Sequence, residues 1–418
     1  MDRFEYRDNV LYCEDVKVSD IADRVGTPAY IYSRATIERH YRQIEDAFRG
    51  ASSLICFSIK ANSNLEILRI MKDLGAGFDA VSGGEIYRAL AAGADPKKIV
   101  FAGVGKTDEE IRYALQSGIL MFNVESREEV ENIDRLAAGM AVVAPIVLRV
   151  NPDVDPKTHT YITTGKAENK FGVDIAAARE LVEEIPRLKN VQLLGFHCHI
   201  GSQMTDTEPY GSAMHKMMEL FQECRKSYPI QHMNVGGGFG IYYKGDEAKP
   251  VAEFAARIMP FVIASKCRLI LEPGRYIVGN AGILVTRVQY VKMSGPRRFV
   301  ICDAGMNDLI RPALYQAYHR IWPAASNVPP DAPGKDLTNA DVVGPICESG
   351  DYFAKDRPLP ELHRGDLLVV FSAGAYGFTM SSNYNSQPKP PEILVDGKTW
   401  RVIRKRETYQ DLIRLETE

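Results

Sequence analysis

At 418 residues the chain exceeds what one hydrophobic core usually organises, so two domains are expected, and 45% hydrophobic residues suit a soluble globular protein. Lys plus Arg number 51 against 54 Asp plus Glu, a net charge of -3, which removes the electrostatic case for nucleic acid or an anionic membrane and points to a small ligand. Seven cysteines, an odd number with no Cys-x-x-Cys pair, argue against a disulfide framework and a structural zinc site; most read as buried thiols, with Cys347 the candidate exception.

The first residues, Met1-Asp2-Arg3-Phe4-Glu5, carry charges where a signal peptide needs an apolar core, and no later stretch approaches a membrane span, so the expected location is the cytoplasm. Residues 1–27 precede any repeating pattern, although 10–13 has the character of a strand. From residue 54, apolar runs of strand length alternate with segments of helical period: 54–59, 78–81, 99–104, 121–124, 145–150, 193–199, 232–235 and 268–271. Their hydrophobicity is continuous, as in parallel strands covered on both faces. Helix starts between them are legible at Thr107 and Ser126, each followed three residues later by Glu, and Gly75, Gly93 and Gly118 sit where helices should stop. Eight such repeats predict a (β/α)8 barrel, an α/β fold whose chemistry lies at the C-terminal ends of strands. Beyond 274, runs at 283–291, 298–302, 341–344 and 366–371 between Pro and Gly turns predict a mostly β second domain, with 324–339 an exposed loop. The expected division is a barrel over 28–276 and a β-rich domain from 1–27 with 277–418.

Polar residues follow four of the barrel runs. Lys60 closes Phe57-Ser58-Ile59-Lys60; a lysine among apolar neighbours loses water and offers its amine to an aldehyde, and the alternative is a lysine whose head reaches solvent from a strand end. His197 and His199 lie two apart, as a metal pair would, but on the sixth strand and without the accompanying ligands, so no metal is expected; His199 opens a loop and suits stacking on a flat group, while His197 reads as a hydrogen-bonded core histidine. Gly236-Gly237-Gly238-Phe239-Gly240 matches neither a dinucleotide fingerprint nor a P-loop, yet consecutive glycines offer backbone N–H groups as an anion nest; a tight turn is the alternative. In Glu272-Pro273-Gly274-Arg275 the proline favours extended backbone at Glu272, a carboxylate suited to keep a pyridine nitrogen protonated; a Glu272–Arg275 ion pair is the ordinary reading. Amine, aromatic face, anion cup and carboxylate are together the parts that hold pyridoxal phosphate.

These motifs, with Val81-Ser82-Gly83-Gly84-Glu85, Leu148-Arg149-Val150-Asn151-Pro152, Asp303-Ala304-Gly305-Met306-Asn307-Asp308, Cys347-Glu348-Ser349-Gly350-Asp351 and Ala375-Tyr376-Gly377, make the chain resemble the diaminopimelate decarboxylases nearly end to end. These are fold-type III pyridoxal-phosphate enzymes, a group with alanine racemase and ornithine decarboxylase. The resemblance implies an alanine racemase-like barrel, pyridoxal 5'-phosphate as cofactor, and decarboxylation of meso-2,6-diaminopimelate to L-lysine. It implies that Lys60 is the covalent anchor, that His199 stacks on the ring, and that Glu272 pairs with its nitrogen. Ser202, Gly240, Gly274, Arg275 and Tyr376 would hold the phosphate region, with Gly237, Gly238 and Pro273 also against the cofactor. Arg275, Arg311, Tyr315, Glu348 and Tyr376 would bind substrate, and Cys347 would donate the proton. Cys347 and Glu348 would act in the other subunit's site, which implies a homodimer. The segment Asn385-Ser386-Gln387-Pro388 departs from many relatives, which carry arginine after the serine. Another decarboxylase of the group would differ around Arg311 and Glu348, a racemase needs a second base, and a non-catalytic cofactor carrier would leave 347–351 without a purpose. The connection 151–171, long for a barrel, reads as a cover for the site.

Overall fold

The computed structural model describes residues 2–154, 170–245, 248–330 and 336–417. It divides into two compact units, Tyr41–Ile241 with Glu247–Tyr276, and Met1–His40 with Tyr242–Asp246 and Ile277–Glu418. Most of the connection 151–171 lies outside the described residues.

Among the described residues of the first unit, eight parallel barrel strands run in chain order, Ser53–Ser58, Gly77–Ala80, Ile99–Phe101, Met121–Val124, Ala144–Asn151, Val191–His197, His232–Asn234 and Arg268–Leu271, and the two-residue Val173–Asp174 pairs parallel to the fifth outside that ring. Each pairs with the next, and the eighth pairs with the first, which closes the barrel. Helices on the outside cover the strands, so their backbones carry buried residues on both faces, as the unbroken apolar runs require. Thr107 accepts from Glu110 N while Glu110 returns to the Thr107 N–H, and Gly118 closes that helix at φ +65°. Ser126 also caps its helix, but the Glu129 carboxylate turns away to the Lys106 ammonium.

Inside the barrel, Leu54, Cys56, Val100, Met121, Val147, Leu194 and Ile270 form one buried apolar cluster. Strand period two puts Ser58, Asn123, Arg149 and Glu272 on the same side as Cys56, Met121, Val147 and Ile270, one layer nearer the C-terminal end. The barrel is thus plugged with hydrocarbon and topped with polar groups.

In the second unit, Gly282–Ser294 runs antiparallel to Ala29–Ser33, Leu367–Val370 and Arg297–Cys302. Glu392–Asp396 continues the sheet beside Ala29–Ser33, and Thr338–Val343 with Tyr352–Leu359 extends the other side. Phe4–Arg7, Val10–Cys13 and Val16–Lys17 make a separate three-stranded sheet. The segment expected as a loop over 324–339 is partly strand, since Thr338 and Asn339 pair with Leu359 and Pro358; residues 331–335 lie outside the described set.

Ile270 has no exposed surface in the apolar cluster. Ile270→Ala should cost roughly 2–5 kcal/mol, read as a lower urea midpoint of the barrel transition with an unchanged slope.

Candidate active site

The first strand ends at Ser58, and Lys60 occupies the short 3-10 turn Ile59–Ala61 that follows. Its amine does not sit in the apolar surround that the strand end suggests. Lys60 Nζ lies 2.7 Å from Asp79 Oδ2, on a side chain with no exposed surface, while the lysine side chain itself is 41% exposed. Ser58 Oγ donates to the same carboxylate at 2.7 Å and lies 2.9 Å from the Glu272 carbonyl oxygen. Burial raises the Asp79 pKa; the Lys60 cation opposes it and the Glu272 charge adds to it.

Glu272 follows the eighth strand, and its carboxylate is 6% exposed. Asn123 Nδ2 donates to Oε1 at 2.8 Å, Asn234 Nδ2 donates to Oε1 at 2.6 Å, and His197 Nε2 lies 3.3 Å from Oε2. Burial alone would raise this pKa, but the charge and hydrogen bond of His197, then Lys60 and Asn234, hold the carboxyl far below the usual range. His197 therefore serves the carboxylate. Among the described residues, no group of three or more His, Cys, Asp and Glu side chains could hold a metal ion.

His199 lies beyond the end of its strand. Its Nδ1 accepts from Gly237 N at 3.3 Å. Burial, reinforced by the Arg149 and Lys60 cations, pushes its pKa well below the ordinary value and keeps the ring neutral. The glycine loop is packed so closely that a Cβ at Gly236 would lie 2.6 Å from His199 Nδ1, and one at Gly237, Gly238 or Gly240 would strike the carbonyl oxygen of Glu272, Gly201 or Met204. Part of the expected row of open amides is committed within the protein, since Gly236 N donates to Asn234 Oδ1 and Gly240 N to Met204 O. Arg275 Nη2 donates to Ser202 Oγ at 3.1 Å, so two residues expected at a phosphate do meet. A Cβ at Gly274 would lie 2.8 Å from that of Ala61, which makes glycine the residue that lets Glu272-Pro273-Gly274 pass behind the Lys60 turn.

Two buried ion pairs stand behind these groups. Arg149 Nη1 contacts both Glu125 oxygens at 3.1 Å. Lys106, with a side chain 1% exposed, donates to Glu129, to Gly103 O and to Asn123 O. Asp79, Asn123, Asn234, Glu125 and Lys106 stand in none of the motifs quoted above, and Arg149 stands in one without a role assigned to it. The strand period finds two of the six, because Asn123 and Arg149 each stand two residues beyond a member of the interior apolar cluster.

The remaining expected residues lie in the β-rich unit. Arg311 is buried at the start of the helix Arg311–Tyr315, with its guanidinium carbon 6.0 Å from the Tyr315 ring centroid. Tyr376 has φ +56°. Cys347 is exposed, and Glu348 beside it is exposed too. Their turn is held by Asp351, which accepts from Ile346 N and Met306 N at 2.7 Å. Asn385, two residues before the departing Gln387, accepts from Cys347 N at 2.7 Å.

The family model for the pyridoxal binding domain of pyridoxal-dependent decarboxylases matches residues 34–279. The chain is 49% identical to a diaminopimelate decarboxylase of Pseudomonas aeruginosa over 413 residues, covering 99% of this chain and 98% of that one. Among solved structures it is similar to diaminopimelate decarboxylase from Helicobacter pylori complexed with L-lysine, at TM-score 0.90, 42% identity and coverage of 95% and 98%. The M. jannaschii diaminopimelate decarboxylase in complex with L-lysine aligns at TM-score 0.93 with 36% identity, covering 100% of this chain and 98% of that one.

Glu85, whose Oε2 accepts from Val81 N at 2.8 Å, is raised by burial to about 7, against an ordinary value of 4.5, with the Val81 amide and the Lys60 charge opposing the rise. A carboxyl raised in the folded state supports folding while protonated, so its contribution is full below 4.5 and is lost as pH rises through about 7. Between pH 5 and pH 8 the wild-type urea midpoint should therefore fall relative to that of Glu85→Gln; parallel pH profiles for the two proteins would contradict the assignment.

Proposed function

We propose that this chain, which belongs to the diaminopimelate decarboxylases within the pyridoxal-dependent decarboxylase family, releases CO2 from meso-2,6-diaminopimelate and yields L-lysine. The observation that carries this reading is the buried Glu272 carboxylate, held as an anion by Asn123, Asn234 and His197 at the barrel end that also bears Lys60. The residues fit pyridoxal phosphate. An anion kept ionised in the interior is a partner for a protonated ring nitrogen, the neutral His199 ring suits stacking, and Arg275 with Ser202 beside the glycine loop suits a phosphate dianion. When bound, pyridoxal phosphate supplies an aldehyde for an amine and a protonated ring that accepts the electron pair left as CO2 departs.

The protein's own part follows from its geometry. Lys60 would hold the cofactor through its amine, and Asp79, 2.7 Å away, stabilises that amine as an ammonium when it is not so engaged. Glu272 stays charged because the Asn123 and Asn234 amides, with the His197 imidazole 3.3 Å away, replace the water it has lost. Arg311 takes the carboxylate that the substrate keeps, with Tyr315 beside it, and Glu348 takes the neighbouring ammonium. Tyr376 completes the phosphate contacts, and Cys347 returns a proton to the carbon that lost CO2. The exposure of Cys347 and Glu348 supports a homodimer in which each subunit lends these two residues to its partner's site. All seven cysteines are unpaired, which supports the reducing cytoplasm as the place of action. Among the described residues, no helix is long and apolar enough to cross a membrane.

Carbon dioxide release from meso-2,6-diaminopimelate with added pyridoxal phosphate tests the reading, with ornithine, arginine and lysine as competing substrates. Lys60→Ala should reduce turnover to background and remove the visible absorbance of lysine-bound cofactor. Glu272→Gln, which keeps the shape and removes the charge, should lower kcat by roughly 10²–10³-fold, the cost of losing one preorganised electrostatic partner. Preference for ornithine over diaminopimelate, or full activity without Lys60, would refute the assignment.

A further inference from the structure

His319 has no part in the chemistry above, yet its surroundings converge on one contact. The imidazole is fully buried. Nδ1 lies 2.9 Å from the Phe371 carbonyl oxygen, which can only accept, so Nδ1 carries the hydrogen and Nε2 is the lone-pair nitrogen. Arg311 Nε donates to that lone pair at 3.4 Å. The residue is held at two further points: Arg357 Nη1 donates to the His319 backbone carbonyl at 2.8 Å, and Tyr243 meets the ring edge-on with centroids 5.3 Å apart. Tyr243 also lies 5.3 Å from the Arg311 guanidinium carbon. All of these residues belong to the β-rich unit.

We infer that His319 is a positioning residue that selects which edge of the Arg311 guanidinium meets the substrate carboxylate. The inference rests on Arg311 binding the carboxylate that the substrate keeps, as proposed above. A guanidinium has two kinds of edge that bind a carboxylate side by side: the end edge of its two terminal nitrogens, and a side edge that uses Nε. Donation from Nε to His319 commits the side edge, so the carboxylate is met by the end. A glutamate or aspartate at position 319 would orient the guanidinium as well, but it would neutralise the charge that attracts the ligand. The neutral imidazole orients the cation and leaves its charge intact, and the tyrosine faces stabilise that charge without cancelling it.

The test compares two ligands of the holoenzyme. L-Lysine keeps the carboxylate in question; 1,5-diaminopentane has the same chain without it. Their binding is measured by titration calorimetry on wild type, His319→Leu, His319→Gln and His319→Glu, with KM and kcat for diaminopimelate determined alongside. In His319→Leu, L-lysine should bind about tenfold more weakly, the scale of one charge-assisted hydrogen bond, and KM should rise by a similar factor while kcat changes far less. Binding of 1,5-diaminopentane should stay within about twofold, because a contact to the missing carboxylate contributes nothing to it. His319→Gln, which can still offer a neutral acceptor, should stay near wild type, whereas His319→Glu should lose at least as much as the leucine variant. Equal weakening of both ligands, or of neither, overturns the inference. If the leucine variant does not fold, the Gln and Glu pair decides, and equal L-lysine affinity in those two overturns it. A wild-type protein that fails to decarboxylate diaminopimelate refutes the proposed function alone, since the calorimetric comparison still reads out His319.

Discussion

A carboxylate withdrawn from water remains an anion only where fixed donors replace the hydration it has lost. Glu272 meets that condition with Asn123 from the fourth barrel strand, His197 from the sixth and Asn234 from the seventh, while Glu272 itself follows the eighth. No short stretch of chain can assemble these four residues. They meet because the strands close on themselves in register, so the charge at the centre of the site is a consequence of barrel closure. The apolar layer beneath, from Leu54 and Cys56 round to Ile270, holds the strands at the spacing that closure needs.

Three ion pairs stand at this end of the barrel: the half-buried Lys60 with the fully buried Asp79, and the buried pairs of Arg149 with Glu125 and Lys106 with Glu129. Removing one partner of a buried pair is typically destabilising by about 3–5 kcal/mol, because the other is left without water or counter-charge. The pairs also share backbone contacts. Glu125 accepts from Gly103 N and Gly172 N, and Glu129 accepts from Glu125 N, so loops after different strands are tied to one another. Lys106 donates to the carbonyl of Asn123, whose side chain holds Glu272, which links the ion pairs to the central carboxylate through one residue.

Much of this was legible in the letters. The eight strand positions follow from unbroken apolar runs, and the helix starts at Thr107 and Ser126 follow from their caps. Lys60, His199, the glycine loop and Glu272 stand out because each polar signature interrupts hydrocarbon at a strand end. Asp79 was hidden by the same logic: within Phe78-Asp79-Ala80 a lone carboxylate reads as an interruption of a strand, and nothing local says that it faces an amine 19 residues away. The Ser126 cap behaves as its spacing predicts while its Glu129 does not, because that carboxylate is taken by the Lys106 charge and the Glu125 N–H and makes no return bond to Ser126 N.

By itself, then, the sequence determined the order of strands and helices, the polar signatures at their ends and the family to which the chain belongs, since all of these reside in local residue pattern. Only the tertiary structure decided which polar groups face one another. It paired Lys60 with Asp79, gave Glu272 its two amide donors and the neighbouring His197 imidazole, and set His319 against Arg311. The reason is physical: propensity and periodicity act over a few residues and survive in the letters. The protonation and orientation of a buried group depend on whatever occupies the next few ångströms, and those neighbours arrive from distant parts of the chain only when the sheet closes and packs.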